Sequence, residues 1–177
     1  SSIHRFTLGE ASVSTIQDGA HIREPINPPF ALDKSDEEIA QIAARNNLPA
    51  HGFESGYTPT IIRIGDQTVL FDTGFAPLGV DEPAGHLRRR LAHAGYAPED
   101  IDIVAFTHCH PDHILGVMDG DKPTYPNARY VMGRKEFDAW SSGEGIPEQR
   151  ARTRDIFLKL IPPLADRMTF LEDGKSV

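Results

Sequence analysis

The densest chemistry in this 177-residue sequence lies in Thr107-His108-Cys109-His110-Pro111-Asp112-His113. Three of the chain's eight histidines fall in this stretch, with an aspartate among them. Imidazole and carboxylate are the ligands that zinc, iron or manganese would take. Alternate side chains of an extended backbone point the same way, so His108 and His110 can reach one metal ion together. Cys109, between them, points away and reads as small filler, not as a nucleophile. Pro111 bends the chain and turns Asp112 and His113 towards a second ion. The competing reading is a histidine-rich polar surface loop, since a lone His is usually an ordinary polar side chain. The spacing H-x-H-x-D-H straight after an apolar run favours the metal reading.

Three elements must position that cluster. Residues 101–106 are almost all apolar and rich in β-branched side chains, predicting a buried strand that delivers the histidines on the loop at its C-terminal end. Residues 60–64 and 67–71 are two β-rich runs joined by Gly65-Asp66, a tight hairpin signal. The second run ends in Asp72-Thr73-Gly74. Asp72 either bonds its own turn backbone or holds the metal loop from behind, and the residues alone leave both open. Between the two strands, residues 85–95 predict a helix with Leu87, Leu91 and Ala94 on one face and Gly95 as its stop. That makes a β-α-β unit with parallel strands, whose loops gather at the strands' C-terminal ends. His86, His93 and the run Arg88-Arg89-Arg90 are expected on the solvated face of this helix.

The rest of the chain frames these elements. Residues 3–8 and 12–17 alternate and predict an N-terminal hairpin, with Asp18-Gly19 as a turn signal. Residues 25–30 read as a proline-rich loop. Ser35-x-x-Glu38 is a capping box opening a helix with Ile39, Ile42 and Ala43 on one face. Residues 51–59, with His51 and Tyr57, read as a loop. After the cluster, residues 114–118 begin a short helix, 128–132 form a strand, and 134–140 form a helix packing Phe137 and Trp140. A longer helix starts near Glu148, faces Ile156, Phe157, Leu160 and Ile161 to the core, and ends at Pro162-Pro163. Residues 168–171 read as a strand, with Asp173-Gly174 as its turn.

Composition bounds the function. Hydrophobic content of 39% and charged content of 25% are ordinary for a globular protein. No apolar run approaches the roughly 18 residues of a membrane span. A net charge of −8 argues against a nucleic-acid partner. The single cysteine excludes an internal disulfide. The N-terminus has no apolar signal segment, so a cytoplasmic location is expected, or a periplasmic one if a leader has been trimmed.

At the histidine cluster the sequence resembles the metallo-β-lactamase superfamily, whose signature is H-x-H-x-D-H. Asp72-Thr73-Gly74 after an apolar strand, then a helix, then the strand entering the histidines, follows the order of that family's N-terminal half. The form T-H-x-H-P-D-H is most similar to the lactonase, methyl-parathion-hydrolase and related ester-hydrolase branches. The resemblance implies an α/β fold: a mixed sheet with flanking helices, the N-terminal half of a four-layer αβ/βα sandwich, with residues 1–177 forming one domain incomplete on its C-terminal side. It implies His108, His110, Asp112 and His113 as metal ligands, normally to two zinc ions, with manganese or iron as alternatives. It also tips Asp72 towards holding the metal loop. The family usually has two glycines where this chain has Leu115-Gly116, a departure that would narrow local packing.

The resembled family draws a third histidine for its first metal site, a bridging aspartate and a further histidine from its C-terminal half. This sequence has no histidine after His113. In a complete site, two metal ions would lower the pKa of a water from about 15.7 to near 7 and polarise the substrate's carbonyl or phosphoryl oxygen. Asp112 could then pass the nucleophile's proton to the leaving group. The leading expectation is thus a metal-dependent hydrolase of a small ester, lactone or phosphotriester. The alternatives are a thioester hydrolase resembling glyoxalase II and a non-catalytic fragment with the same fold. An uncovered sheet face predicts self-association or pairing with a complementary C-terminal half.

Overall fold

A computed structural model describes residues 2–27, 30–77 and 82–176. In chain order the elements are β1 (Ile3–Leu8), β2 (Ala11–Ile16), β3 (Gly19–Arg23), α1 (Asp36–Arg45), β4 (Phe53–Tyr57), β5 (Thr60–Ile64), β6 (Gln67–Phe71), α2 (Leu87–His93), β7 (Ile103–Ala105), α3 (Pro111–Ile114), β8 (Met118–Asp119), β9 (Lys122–Pro123), β10 (Arg129–Gly133), α4 (Arg134–Ser142), α5 (Ala151–Leu160) and β11 (Met168–Leu171). They fall into two compact units, residues 20–56 and the remainder.

In the smaller unit β3 pairs with β4. The capping box of α1 is formed: Ser35 Oγ accepts the Glu38 N–H and Glu38 Oε2 accepts the Ser35 N–H. Ile39 and Ala43 are buried, whereas Ile42 is 48% exposed. The loop expected over 51–59 contains β4. Its alternation, with Phe53, Ser55 and Tyr57 half-buried and Glu54 and Gly56 exposed, is a two-residue period that Gly56 obscures. Part of the expected loop at 25–30 lies outside the described residues.

The larger unit is built on a seven-stranded mixed sheet in the order β1-β2-β5-β6-β7-β10-β11. From β1 to β6 neighbours are antiparallel, and from β6 onward they are parallel. The N-terminal hairpin turns at Gly9-Glu10, so Asp18-Gly19 is not its turn. The parallel pairing of β6 with β7 through α2 is the expected β-α-β unit.

Period-2 alternation splits this sheet into two faces. The register lines up Ile61, Leu70, Val104 and Tyr130 on one of them. These join Leu87 and Leu91 of α2, Ile114 of α3, Trp140 of α4 and Phe157 of α5 in a single buried core. The other face carries a second aligned row, Phe6–Val13–Ile62–Val69–Ile103. Phe6 is 45% exposed, and Ile62 and Val69 are only half-buried. Among the described residues, α2 to α5 send their buried apolar side chains to the first face, and no helix is long and apolar enough to cross a membrane.

Candidate metal centre

The parallel strands β6 and β7 end side by side, and the Asp72 N–H donates to the Ala105 carbonyl across the gap. Beyond β7 the chain bends at Thr107, and His110 (φ −70°, ψ 154°) caps a helical turn that begins at Pro111. The helix expected from Ile114 therefore starts three residues earlier and carries Asp112 and His113 on its first turn. Proline at the first helical position explains the start, because it needs no N–H there and its φ is already helical.

Asp72 organises the loop. Its backbone is left-handed, φ +62°, a region that costs most side chains of order 1–3 kcal/mol. From there Oδ1 accepts the Thr107 N–H at 2.8 Å. Oδ2 accepts the Thr107 hydroxyl at 2.8 Å and lies 2.8 Å from His113 Nδ1. Of the two roles open to Asp72 in the sequence, the carboxylate takes the one that holds the histidine loop. Thr73 adds two bonds, donating its N–H and its hydroxyl to the His113 carbonyl at 2.8 and 2.9 Å. Gly116 donates to the Gly74 carbonyl at 3.0 Å, and a Cβ at Gly116 would stand 2.0 Å from the Thr73 carbonyl oxygen. The glycine kept in Leu115-Gly116 is thus the one that close approach requires, and Leu115 is accommodated half-buried.

The four expected ligand side chains come together as two pairs. His108 Nε2 lies 3.1 Å from His110 Nδ1, and His113 Nε2 lies 3.1 Å from Asp112 Oδ2. The His108 and His113 rings are 3.9 Å apart between centroids, so the pairs adjoin. Carboxylates only accept, so His113 Nδ1 donates to Asp72. The Thr107 hydroxyl gives its one proton to Asp72 and can only accept from His108 Nδ1, 3.2 Å away. In a neutral ring that puts the His108 lone pair on Nε2, facing His110 Nδ1. Among the described residues, no group of three or more His, Cys, Asp or Glu is placed to hold one ion. The donors are of the type zinc takes, two per pair, where a catalytic zinc normally has three protein ligands.

Charge follows geometry. Burial alone would lower the pKa of His113, but its hydrogen bonds to Asp112 and Asp72 outweigh that and raise it to about 9. For Asp112, burial is outweighed by the His113 hydrogen bond and charge, and its pKa is lowered. Burial, reinforced by His108 and Arg150, lowers the pKa of His110.

Cys109 points away from the pairs, as expected: it is fully buried, with Sγ 3.7 Å from Met132 Sδ. Burial first, then nearby Glu136, pushes its thiol pKa far above the ordinary range. Three supports were not assigned from sequence. The Thr107 hydroxyl bridges Asp72 and the histidines. Glu136 on α4 accepts the Cys109 N–H at 2.8 Å. Asp18, fully buried, accepts the N–H groups of Phe75, Gly85 and Leu87 at 3.1, 3.1 and 2.7 Å. His86 is 8% exposed and donates its N–H to the Asp18 carbonyl, so it is not a surface residue. His93 is exposed. The arginine run is partly engaged: Arg88 pairs with Asp119 at 3.0 Å and Arg90 bonds the Gln17 carbonyl.

The metallo-beta-lactamase superfamily profile matches residues 55–175. A ribonuclease Z from Nocardia farcinica is 27% identical over 120 residues, 63% of this chain and 35% of its own length. Among solved structures, the chain resembles AidC, a dizinc quorum-quenching lactonase in complex with a product, N-hexnoyl-L-homoserine (TM-score 0.86, 24% identity, 99% of this chain and 63% of that one). It also resembles the hydrolase AbOPH (TM-score 0.85, 20% identity, 100% and 63%). At these identities the structural likeness shows the fold alone. The chain spans under two thirds of the length of these solved structures and about a third of the ribonuclease Z.

Proposed function

The chain belongs to the metallo-beta-lactamase superfamily, and from that premise we propose that it is the histidine-bearing part of a metal-dependent hydrolase of small esters, lactones or phosphotriesters. The observation that carries this reading is the pairing of His108 Nε2 with His110 Nδ1 and of His113 Nε2 with Asp112 Oδ2, both at 3.1 Å. His108 and His110 would hold one ion, and Asp112 and His113 a second, with zinc first and manganese or iron as alternatives. When bound, such ions supply Lewis-acid polarisation of a carbonyl or phosphoryl oxygen and acidify water to a pKa near about 7.

The chain's own residues do the remaining work. Asp72 and Thr107 set the ring orientations through the Nδ1 atoms of His113 and His108, which turns Nε2 of each ring towards its pair partner. Asp112, a member of the second pair, would accept a proton and return it to a leaving group. The smallness of the substrate rests on the relation to AidC, itself described as a lactonase. A net charge of −8 disfavours RNA, whatever the ribonuclease Z relative acts on.

Each pair still lacks a donor, so full activity needs donors from elsewhere, either a complementary C-terminal half or a second copy. The row Phe6–Val13–Ile62–Val69–Ile103 offers the face on which such a partner would pack, with sheets about 10 Å apart. The same two-donor count supports a second reading, a chain that binds metal without catalysis. Zinc titration of the wild-type chain, His108→Ala and His93→Ala tests the site, with loss expected only for His108→Ala. Light scattering and an ester and lactone assay, with and without a complementary C-terminal fragment, test the activity. Equal zinc binding by all three proteins would refute the site, and a fully active monodisperse monomer would refute the need for a partner.

A further inference from the structure

The metal loop is gripped from behind by Asp72, but a second grip comes from the opposite side. Glu136, on the first turn of α4, turns one carboxylate oxygen, Oε1, to two donors at once. It accepts the backbone N–H of Cys109 at 2.8 Å and the indole N–H of Trp140 at 2.8 Å. Cys109 is the peptide between His108 and His110, and its side chain is locked into the core against Met132. Trp140 is 6% exposed, and its ring stands 6.2 Å from the His110 ring, edge to face. It is also the chain's single tryptophan.

We propose that Glu136 is a positioning residue for the His108–His110 pair, fixing the intervening peptide and tying its orientation to the Trp140 indole. A peptide held at both its amide and its side chain has little freedom to rotate, so the two imidazoles it flanks keep the spacing that brings Nε2 and Nδ1 together. A carboxylate is suited to this because it accepts two donors and gives none, and bonds to a charged acceptor are the stronger kind. The reach of the proposal to metal rests on the reading of His108 and His110 as ligands; the hydrogen-bond geometry does not.

The test uses Glu136→Gln, which keeps an acceptor oxygen, and Glu136→Met, which keeps the volume and loses the acceptor. In the metal-free chain, amide hydrogen exchange at Cys109 should accelerate strongly in Glu136→Met and stay near wild type in Glu136→Gln. Trp140 emission should change in the Met variant while thermal unfolding remains cooperative. With zinc, Glu136→Met should bind roughly 10–100-fold more weakly, the usual loss when a group behind a ligand is removed, and Glu136→Gln should recover most of that. If the Met variant does not fold, the Gln variant decides alone: its weaker acceptor should move the Cys109 amide proton upfield. Unchanged Cys109 exchange in Glu136→Met, or an unmoved amide resonance in Glu136→Gln, overturns the proposal. Should the wild-type chain bind no zinc, the metal reading fails, while the metal-free measurements still decide the role of Glu136.

Discussion

Replacing Asp18 with alanine removes a fully buried carboxylate that takes three backbone N–H groups, those of Phe75, Gly85 and Leu87. Gly85 and Leu87 are buried and Phe75 is half-buried, so at least two donors would be stranded away from water. A stranded donor costs about 1–3 kcal/mol, and with Phe75 at the low end the loss is about 3–7 kcal/mol. Domains of this size are stable by about 5–15 kcal/mol, so the variant should be close to unfolding. Asp18→Asn should be little better, because its NH2 would confront N–H donors on one side whichever way the amide is turned. Urea unfolding followed by Trp140 emission measures the effect. With a slope of about 2 kcal/mol per molar urea, the midpoint should fall by about 1.5–3.5 M. A loss below about 1 kcal/mol in Asp18→Ala, at unchanged slope, would refute the reasoning.

Other outcomes follow from the same geometry. In the metal-free chain the His113 pKa is about 9 against an ordinary value of 6.5, so the stability it contributes is full below pH 6.5 and is lost as pH rises through about 9; unfolding midpoints against pH, absent in His113→Gln, check this. A metal ion must displace the proton from that ring, so zinc uptake at pH 7 should release protons into weakly buffered solution, measurable by calorimetry in buffers of different ionisation enthalpy. Gly116→Ala should be strongly destabilising, because its Cβ would meet the Thr73 carbonyl oxygen at 2.0 Å; a near-neutral melting temperature would contradict the close approach. Cys109, fully buried, should resist a thiol reagent until the protein is unfolded, then react as an ordinary thiol.

What could be read from the sequence was what depends on neighbours in the chain. The strands at Thr60–Ile64, Gln67–Phe71 and Met168–Leu171 fall where the β-rich runs end, and the Ser35–Glu38 capping box is a four-residue pattern with a fixed geometry. In the histidine cluster, His108 and His110 stand 3.1 Å apart, as do His113 and Asp112. What stayed hidden depends on partners far along the chain. Asp18 looked like half of an Asp-Gly turn, yet its acceptors' partners lie 57 to 69 residues away. Glu136 reaches back 27 residues to Cys109, and nothing in Arg134–Trp140 sets it apart from any acidic residue on a helix's first turn. A helix beginning at Gly85 would put His86 on its solvated face, whereas α2 starts at Leu87 and leaves His86 buried at its entrance.

The left-handed backbone of Asp72 narrows what evolution can write at that position. Glycine and asparagine tolerate φ +62°, but glycine offers no acceptor. Asparagine would present an NH2 either to the Thr107 N–H or to the Thr107 hydroxyl and the His113 ring, breaking one half of the contact whichever way it turned. Glutamate has the right charge, but its longer stem would carry the oxygens past Thr107, and its backbone gains nothing in the left-handed region. Torsion and chemistry are two independent filters, and of the twenty amino acids aspartate passes both. Drift here should therefore be frozen even among relatives whose pockets have diverged, and a chain carrying another residue at this position would have to have rebuilt the turn itself.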